Sequence, residues 1–284
     1  MKILITGAGG QLGKELVRIF KENGDSVLSY NKQQLDITDC NQIREVLTEQ
    51  QPDLIINTAA YTKVDSCEEK LDKAYLINAI GPCYLALEAK ENNVIFFHIS
   101  TDYVFDGEKS TPYVEEDITN PKTVYGKSKR LGEELVLNIC KDATIIRTSW
   151  LYGHGGENFV NTIKKISDNL DEIRVVNDQY GCPTYTKDLG IAIKSLIGKP
   201  PGIYNITNYG SCSWYEFAIE IIKLLKKRTK IVPISTKEYG LKTPRPFYSV
   251  LSNKKLNDNQ ISTRNWKEGL FEYLKKECNS EDED

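Results

Sequence analysis

The chain has 284 residues, a formal net charge of −3, 40% hydrophobic residues and 27% charged residues. These values are ordinary for a globular protein of one large domain or two closely joined domains. The mild acidity gives no general attraction to nucleic acid or to anionic membranes, so neither is expected as a partner. No apolar run approaches the roughly 20 residues that a membrane helix needs. The acidic tail at 279–284 is expected to be disordered.

Cysteine and histidine usage argues against a metal site. Seven cysteines are scattered without a C-x-x-C pair, and the only histidines are His98 and His154. An odd, scattered set of thiols does not fit a disulfide framework or a zinc ribbon. Reduced thiols are typical of cytosolic proteins, so we expect a cytoplasmic location and no bound metal.

The first half of the chain alternates β-branched runs with amphipathic stretches. Strands are predicted at 2–6, 26–30, 53–59, 94–100 and 143–149, and helices at 12–23, 39–50, 66–92 and 128–140. This order is typical of a parallel sheet with right-handed crossovers. The sequence therefore predicts an α/β fold in which residues 1–149 form a Rossmann-type, doubly wound parallel sheet that binds a dinucleotide.

The second half follows a looser pattern. Strand-like runs at 173–176 and 202–207 alternate with helical runs at 213–227 and 265–277, and proline-bearing loops lie between them. We expect residues 150–284 to form mainly a smaller, mixed α/β substrate-binding lobe, with some elements returning to the Rossmann sheet.

A glycine-rich turn follows the first predicted strand. The segment ITGAGGQLGKEL carries Gly7, Gly10 and Gly13, three residues apart, at the start of the first helix. This is a variant of the dinucleotide-binding fingerprint, which needs a tight turn, close backbone approach to a pyrophosphate and close helix–strand packing. The N-terminus of the helix adds free N–H groups and partial positive charge. Glycines also serve plain turns, but the strand–turn–helix context favours nucleotide binding.

The end of the second predicted strand lacks the acid that usually accepts hydrogen bonds from an adenosine ribose. Asn31 and Lys32 stand there instead. Lys32 could meet a 2′-phosphate, which favours NADPH with NADH as the alternative, although a solvated surface lysine explains it equally well. Asp36 and Ile37 are better placed to contact the edge of the adenine ring.

One tyrosine has a distinctive neighbour. Of sixteen tyrosines, only Tyr125 is followed four residues later by a lysine, Lys129. Residues four apart share one face of a helix. An ammonium beside a phenol favours the phenolate, so Lys129 is expected to lower the pKa of Tyr125 toward neutral pH. The pair then forms a proton donor; the alternative is a basic, solvated helix start.

Two hydroxyls end the fourth predicted strand. Ser100 and Thr101 lie in the segment HISTDYVFDG, and sheets of this class bind ligands at the carboxyl ends of their strands. A hydroxyl there could hold a substrate oxygen. Capping or turn formation also explains Thr101, but the glycine turn together with Tyr125 favours a site.

Five segments together resemble the extended short-chain dehydrogenase/reductases: the glycine turn, NTAAYTKVD, STDYVFDG, VYGKSK and RTSWLYG. The segment NDQYGCPT narrows the resemblance to the dTDP-4-dehydrorhamnose reductases, and the likeness covers nearly the whole chain. The resemblance implies that NAD(P)H reduces the C4 keto group of dTDP-4-dehydro-L-rhamnose and gives dTDP-L-rhamnose, a cell-wall sugar donor.

The resemblance also implies roles for individual residues. Tyr125 is the implied proton donor, Lys129 holds the nicotinamide ribose and Thr101 orients the substrate oxygen. From the glycine turn and the resemblance together, cofactor contacts are predicted for Gly7, Gly10, Gln11, Leu12, Asp36, Ile37, Ala60, Tyr61, Thr62, Ser100, Tyr125 and Lys129. Sugar contacts are predicted for Thr101, Asp102 and Trp150, of which Trp150 could also be a core aromatic.

One feature of the family is not carried over. Some relatives tie a dimer together with Mg²⁺ held by carboxylates. Glu15 matches that pattern, but Lys187 stands where an acid would help. No metal is therefore predicted, and a homodimer is left open.

Two other classes of function stay open, a non-catalytic regulatory subunit and a nucleotide-sugar epimerase or dehydratase. A non-catalytic, NADP-binding regulatory subunit of the methionine adenosyltransferase type shares the fold, but it need not retain Thr101, Tyr125 and Lys129. A nucleotide-sugar epimerase retains its NAD tightly. A dehydratase needs further carboxylates beside the threonine, where this chain offers only Asp102.

Overall fold

The computed structural model describes residues 1–240 and 242–281, and for 276–281 the backbone alone. The strands of the described residues are, in chain order, β1 (Lys2–Thr6), β2 (Ser26–Tyr30), β3 (Leu54–Asn57), β4 (Ile95–Thr101), β5 (Thr144–Thr148), β6 (Leu151–Tyr152), β7 (Glu172–Val176), β8 (Tyr180–Gly181), β9 (Thr184–Tyr185), β10 (Gly202–Asn205), β11 (Cys212–Ser213) and β12 (Lys230–Ile234).

The α-helices of the same residues are α1 (Gln11–Glu22), α2 (Cys40–Gln50), α3 (Val64–Glu69), α4 (Leu71–Tyr75), α5 (Gly81–Glu91), α6 (Val124–Ile139), α7 (Phe159–Ile166), α8 (Thr186–Ser195), α9 (Trp214–Leu224), α10 (Thr236–Tyr239), α11 (Lys254–Asp258) and α12 (Trp266–Glu281). A π-helical turn, Leu76–Ile80, joins α4 to α5, and a 3-10 turn, Asp102–Val104, follows β4.

Six parallel strands form the main sheet, in the order β10-β5-β4-β3-β1-β2. The chain passes from β1 to β2 on one side and then crosses to β3 on the other side of β1. The connections after β1 and β3 therefore diverge at the carboxyl edge of the sheet, where a crevice opens. The predicted α/β fold with a Rossmann-type, doubly wound sheet is confirmed.

Helices cover both faces of this sheet, because its strands are apolar on both sides. Ile3 and Ile5 of β1 pack in the core shared with α1 and α8, whereas Leu4 packs in the core shared with α2, α5 and α6. Both α8 and β10 come from the second half of the chain, so that half contributes to the main core. The division of the chain at residue 149 itself stays a prediction.

A second core lies outside the main sheet and is rich in aromatic residues. The ring of Tyr152 has the ring centroids of Tyr185, Phe217 and Tyr273 at 5.6, 5.7 and 5.5 Å. The parallel pair β7 and β12 and the helices α7, α9 and α12 enclose this cluster. Aromatic pairs at these distances contribute to stability beyond the area that they bury.

The prediction of one continuous helix at 66–92 is wrong. The helix breaks at Lys70, which ends α3 and begins α4, and again in the π-helical turn before Pro82. Pro82 has no N–H to bond the carbonyl of Asn78. Gly132 of α6 packs against that same carbonyl, since a Cβ on Gly132 would lie 2.2 Å from it. A proline and a tertiary contact together cause the break.

The other predicted strands and helices agree with the structure apart from their ends. Helix α6 begins at Val124, earlier than predicted, because the Thr123 hydroxyl caps it by accepting a hydrogen bond from Gly126 N at 3.0 Å. The helix α12 extends to Glu281, and 282–284 lie outside the described residues, so the predicted disorder of the tail stays a prediction. None of the helices in residues 1–240 and 242–281 is long and apolar enough to cross a membrane.

Candidate active site

A cavity of about 1100 Å³ opens at the carboxyl edge of the main sheet. The segments that follow β1 to β5 line part of it, and residues of the second half of the chain, such as Phe159, Val175 and Trp214, line another part. Ligand pockets commonly measure about 300–1,000 Å³. This cleft therefore has room for more than one small ligand.

Every residue predicted from the sequence to bind cofactor or substrate lines this cleft. They are Gly7, Gly10, Gln11, Leu12, Asp36, Ile37, Ala60, Tyr61, Thr62, Ser100, Thr101, Asp102, Tyr125, Lys129 and Trp150. The fold thus brings together residues that are far apart in the sequence. Their individual roles stay predictions.

The glycine turn is shaped by close backbone contacts. Gly7 has a φ of +67°, and a Cβ there would lie 2.6 Å from Ala59 N. A Cβ on Gly13 would lie 2.4 Å from the Gly7 carbonyl, so helix α1 packs directly on the turn. A Cβ on Gly10 would meet only that carbonyl, at 3.2 Å, because the cleft lies beside it.

The start of α1 suits an anion. No side chain caps its first turn, so its N–H groups face the cleft with the positive end of the helix dipole. Gln11 and Leu12 line the cleft at this point. The uncapped helix end and the open space beside Gly10 fit the pyrophosphate of a dinucleotide.

The loop after β2 forms part of the rim of the cleft. Its side chains form hydrogen bonds within the loop itself. The Asn31 side chain accepts hydrogen bonds from the backbone of Gln33 and Gln34. Asp36 accepts from the backbone and hydroxyl of Thr38, at 3.0 and 2.7 Å. Lys32 is exposed and lines the cleft. It is therefore placed to meet a charged group at this end.

Asn78 fixes the loop after β3. Its side chain accepts a hydrogen bond from Tyr61 N at 2.7 Å and donates to Tyr61 O at 3.1 Å. It also donates to the Ser128 hydroxyl, at 3.1 Å. The loop that carries Ala60 and Thr62 is thereby tied to helix α6, which carries Tyr125.

Tyr125 and Thr101 meet in the cleft. Tyr125 is 9% exposed, and its ring lies edge-on to that of Tyr103 at 5.4 Å. Burial raises the pKa of the phenol, against the opposing effect of a hydrogen bond with Thr101. The expectation that Lys129 lowers this pKa is wrong for this structure, because burial dominates and Lys129 is directed elsewhere. The phenol is accordingly protonated at neutral pH, as a proton donor requires.

The amine of Lys129 is buried beneath the cleft. It donates a hydrogen bond to the carbonyl of Ile99 at 2.6 Å and lies 3.4 Å from His98 Nε2. Burial lowers the pKa of Lys129 to about 8, and the charge of Glu133 opposes that effect. The lysine is thus held at the carboxyl end of β4.

Ser100 has a structural partner. Its hydroxyl donates to Glu133 Oε1 at 2.6 Å, and Glu133 also pairs with the buried guanidinium of Arg147 at 2.7 Å. Removing one partner of such a buried pair is strongly destabilising. Ser100 lines the cleft but its hydroxyl is engaged in this cluster.

Two polar atoms on the cleft wall form no hydrogen bond within the described residues, namely Asp102 Oδ2 and Thr148 Oγ1. Burial raises the pKa of Asp102 to about 6, although the Ser249 hydroxyl stabilises part of its charge. Buried polar atoms are normally paired. Both atoms fit a ligand that supplies the missing hydrogen-bond partners.

Aromatic rings line the cleft on the side of the second core. Trp150 and Trp214 stack at 3.5 Å with an angle of 6° between their planes. Trp150 has a φ of +47°, a left-handed conformation that is uncommon for a large residue. Its ring lies over Gly181, where a Cβ would lie 2.4 Å away. Trp150 therefore lines the cleft and also packs against the second core.

Comparison with known proteins agrees with this arrangement. Residues 1–279 match the family model for the RmlD substrate binding domain. The chain is also 40% identical over 284 residues to the dTDP-4-dehydrorhamnose reductase of Aggregatibacter actinomycetemcomitans, covering 95% of this chain and 97% of the relative. The chain belongs to the dTDP-4-dehydrorhamnose reductase family. It is therefore an oxidoreductase.

Two further proteins are similar to this chain over nearly its whole length. The chain is 54% identical over 273 residues to the spore coat polysaccharide biosynthesis protein SpsK of Bacillus subtilis, covering 96% of both chains. The crystal structure of a dTDP-4-dehydrorhamnose reductase from Bacillus anthracis in complex with NADP has a TM-score of 0.94 and 40% identity, and the match covers 97% of this chain and 99% of that one.

Sequence reasoning missed several residues of the reductase's cleft. Trp214 and Arg174 line it, and Arg245 lines it while pairing with Asp65 at 2.8 Å. Asn78 supports it from behind. Arg245 lies in the segment KTPRPF, whose prolines predict a loop and give no indication of a ligand contact. Trp214 and Arg174 carried no local signal, because their position depends on how the second half of the chain folds back. Asn78 carried none, because its partners Tyr61 and Ser128 are distant in the sequence.

The two positions that bear on a family metal site, Glu15 and Lys187, are both engaged in ion pairs in this reductase. Glu15 pairs with Arg18 at 2.5 Å, and Lys187 pairs with Glu272 at 2.5 Å. Within residues 1–240 and 242–281, no group of three or more His, Cys, Asp and Glu side chains is arranged to hold a metal ion.

Proposed function

We propose that the protein is an NAD(P)H-dependent reductase of the C4 keto group of dTDP-4-dehydro-L-rhamnose and that its product is dTDP-L-rhamnose. The observation that carries the proposal is the meeting of Tyr125 and Thr101 in a cleft that also contains the glycine turn and the stacked Trp150 and Trp214. A nicotinamide cofactor and a sugar nucleotide can then approach the same phenol.

The names of the relatives support the substrate class. The Aggregatibacter relative is a dTDP-4-dehydrorhamnose reductase, and the Bacillus anthracis relative binds NADP. Lys32 at the rim of the cleft favours NADPH, with NADH as the alternative. In this proposal the cofactor contacts the glycine turn, and residues 150–284 supply most of the substrate-binding lobe.

Each catalytic residue has one proposed task. NADPH supplies the hydride. Tyr125 donates the proton to the carbonyl oxygen, and its burial keeps it protonated until it does so. Thr101 donates a hydrogen bond to the same oxygen and so orients the substrate. Lys129 holds the ribose next to the nicotinamide and assists Tyr125.

The substrate's other groups have candidate partners on the cleft wall. Asp102 Oδ2 and Thr148 Oγ1 are buried, have no hydrogen-bond partner in the part of the chain that the structure describes, and can bond sugar hydroxyls. Arg174 and Arg245 line the cleft and can meet the diphosphate. Trp150 supplies an apolar surface beside the sugar.

The test is a coupled assay with the purified full chain. dTDP-4-dehydro-6-deoxy-D-glucose is supplied with a separate 3,5-epimerase, and the loss of NADPH or NADH absorbance is followed. We expect oxidation that depends on the epimerase. No oxidation of either cofactor contradicts the proposal. Equal rates with and without the epimerase would show that the substrate is the 4-keto sugar before epimerisation. The protein would then still be a 4-keto reductase.

A further inference from the structure

A chain of buried polar side chains crosses three neighbouring strands beneath the cleft. The Thr6 hydroxyl donates to Asn57 Oδ1 at 2.7 Å, Asn57 Nδ2 lies 2.9 Å from His98 Nδ1, and His98 Nε2 lies 3.4 Å from Lys129 Nζ. All four residues are at most 2% exposed. The chain ends at the lysine that we propose acts on the cofactor.

The orientation of Asn57 fixes the proton on His98. The backbone N–H of Ala59 donates to Asn57 Oδ1 at 3.1 Å, and an N–H cannot accept. The amide oxygen must therefore lie on that side, and the amide nitrogen faces His98 Nδ1. An amide nitrogen only donates, so Nδ1 accepts and carries no proton. A neutral His98 must then carry its proton on Nε2.

The Nε2–H of His98 is next to Lys129 Nζ. An ammonium there would place two donors against each other, whereas a neutral amine can accept from Nε2–H and still donate to the Ile99 carbonyl. We propose that His98 is a positioning residue for Lys129: once the amine is neutral, His98 holds it through an Nε2–H hydrogen bond whose direction Asn57 fixes. The effect of His98 on catalysis rests on the proposed function of Lys129.

The other groups around Lys129 do not reverse this preference. Tyr125 and Glu133 lie one helical turn away on α6, and Arg147 of β5 is paired with Glu133. That pairing weakens the attraction of Glu133 for an ammonium. Burial lowers the pKa of His98 well below its ordinary value, which keeps the ring neutral, and burial lowers the pKa of Lys129 to about 8.

Nitrogen NMR tests the tautomer without any activity measurement. The sequence has two histidines, so selective ¹⁵N-histidine labelling gives two rings, and His154→Gln assigns them. We expect His98 to show the Nε2–H tautomer from acid to neutral pH, with a change on alkaline titration that disappears in Lys129→Met. An Nδ1–H tautomer, an imidazolium, or an alkaline change that persists in Lys129→Met overturns the proposal.

Two substitutions separate the contact with Asn57 from the contact with Lys129. The amide of His98→Asn takes the place of Nδ1 and can bond Asn57 only, whereas the amide of His98→Gln takes the place of Nε2 and can reach Lys129. We expect His98→Asn to weaken NADPH binding about tenfold at a pH above about 8, where the amine of Lys129 is neutral, as loss of one buried hydrogen bond predicts. His98→Gln should recover most of that binding.

Equal NADPH affinities for the two variants, with unchanged melting temperatures, would contradict a positioning role. NADPH binding is measured directly, so the outcome does not depend on which sugar is the substrate. If His98→Asn does not fold, the tautomer of the unmodified chain still decides. Failure of the sugar assay alone would count against the proposed function and not against this inference.

Discussion

At the scale of single residues, the environment of each titratable group decides its chemistry. Tyr125 and Lys129 share a helix face, yet burial acts on them in opposite directions: it raises the pKa of the phenol and lowers that of the amine. Both shifts favour the neutral forms. The phenol is thus protonated and able to donate. Burial determines its pKa more than the charge of Lys129, which the sequence spacing suggests.

Tyr125→Phe tests the proton donor. We expect kcat to fall about 10²- to 10⁴-fold, the usual contribution of a positioned general acid, while NADPH affinity stays the same because the ring is retained. Tyr204→Phe is the matched control, since Tyr204 is fully buried in the main core and its hydroxyl donates to Pro200 O. A kcat for Tyr125→Phe close to that of the control would contradict the role of Tyr125 as proton donor. It would favour the alternative, a basic, solvated helix start.

Lys32→Ala tests the choice of cofactor. An exposed charge pair with the 2′-phosphate contributes about 1 kcal/mol, so we expect KM for NADPH to rise about fivefold with KM for NADH unchanged. Lys21→Ala, an exposed lysine at the other end of α1, should change neither constant. A clear preference of the unmodified enzyme for NADH in kcat/KM would reject the argument from Lys32.

At the scale of elements, the turn between β1 and α1 combines two kinds of glycine. Gly13 is required by the protein's own packing, because its Cα lies against the Gly7 carbonyl. Gly10 has an ordinary extended backbone, with φ −77° and ψ 169°. Its missing side chain leaves space in the cleft and not in the protein interior.

Gly10→Val should therefore affect NADPH binding, whereas Gly13→Ala should affect the stability of the fold. Valine accepts the backbone of Gly10, so we expect a folded protein whose NADPH binding is abolished in calorimetry. Alanine at position 13 would lie 2.4 Å from a carbonyl, which predicts a loss of about 1–3 kcal/mol in the free energy of unfolding. Unchanged NADPH affinity in a folded Gly10→Val variant would show that the pyrophosphate does not bind at this turn.

At the scale of the whole molecule, ion pairs fasten α12 to α8 and the preceding loop. Glu272 pairs with Lys187 at 2.5 Å and with Arg264 at 2.6 Å. Burial opposes the charge of Glu272, but hydrogen bonds from Lys187 and Arg264 outweigh burial and lower its pKa from 4.5 to about 2. A folded pKa below the unfolded one stabilises the fold above about pH 4.5, and this stability is lost as pH falls toward 2.

Glu272→Gln should remove that pH-dependent stability. We expect the free energy of unfolding at pH 7 to fall by about 1 kcal/mol after allowance for solvent screening, and the difference from the unmodified protein to vanish near pH 2. Chemical denaturation at several pH values measures it. Glu220→Gln is the control, because Glu220 pairs only with the neighbouring, exposed Lys223 among the described ion pairs. A difference that is constant from pH 7 to pH 2 would contradict the assignment to Glu272.

The sequence by itself determined the main sheet and the position of its ligand site. Strands that are apolar on both sides can only be buried between helices, and glycines between a strand and a helix require a tight turn. These are local constraints, so β1, β2, β4 and β5 and the residues at their carboxyl ends could be predicted from short segments. Tyr125 and Lys129 could be found because a four-residue spacing places them on one helix face.

Only the tertiary structure decided what those residues experience. The break before Pro82 depends on Gly132, the tautomer of His98 depends on Asn57 of another strand, and Arg245 reaches the cleft from the far end of the sequence. The direction of the pKa shift at Tyr125 follows from burial by several elements at once. Burial and long-range hydrogen bonds join residues that are distant in the chain, and no local pattern contains that information.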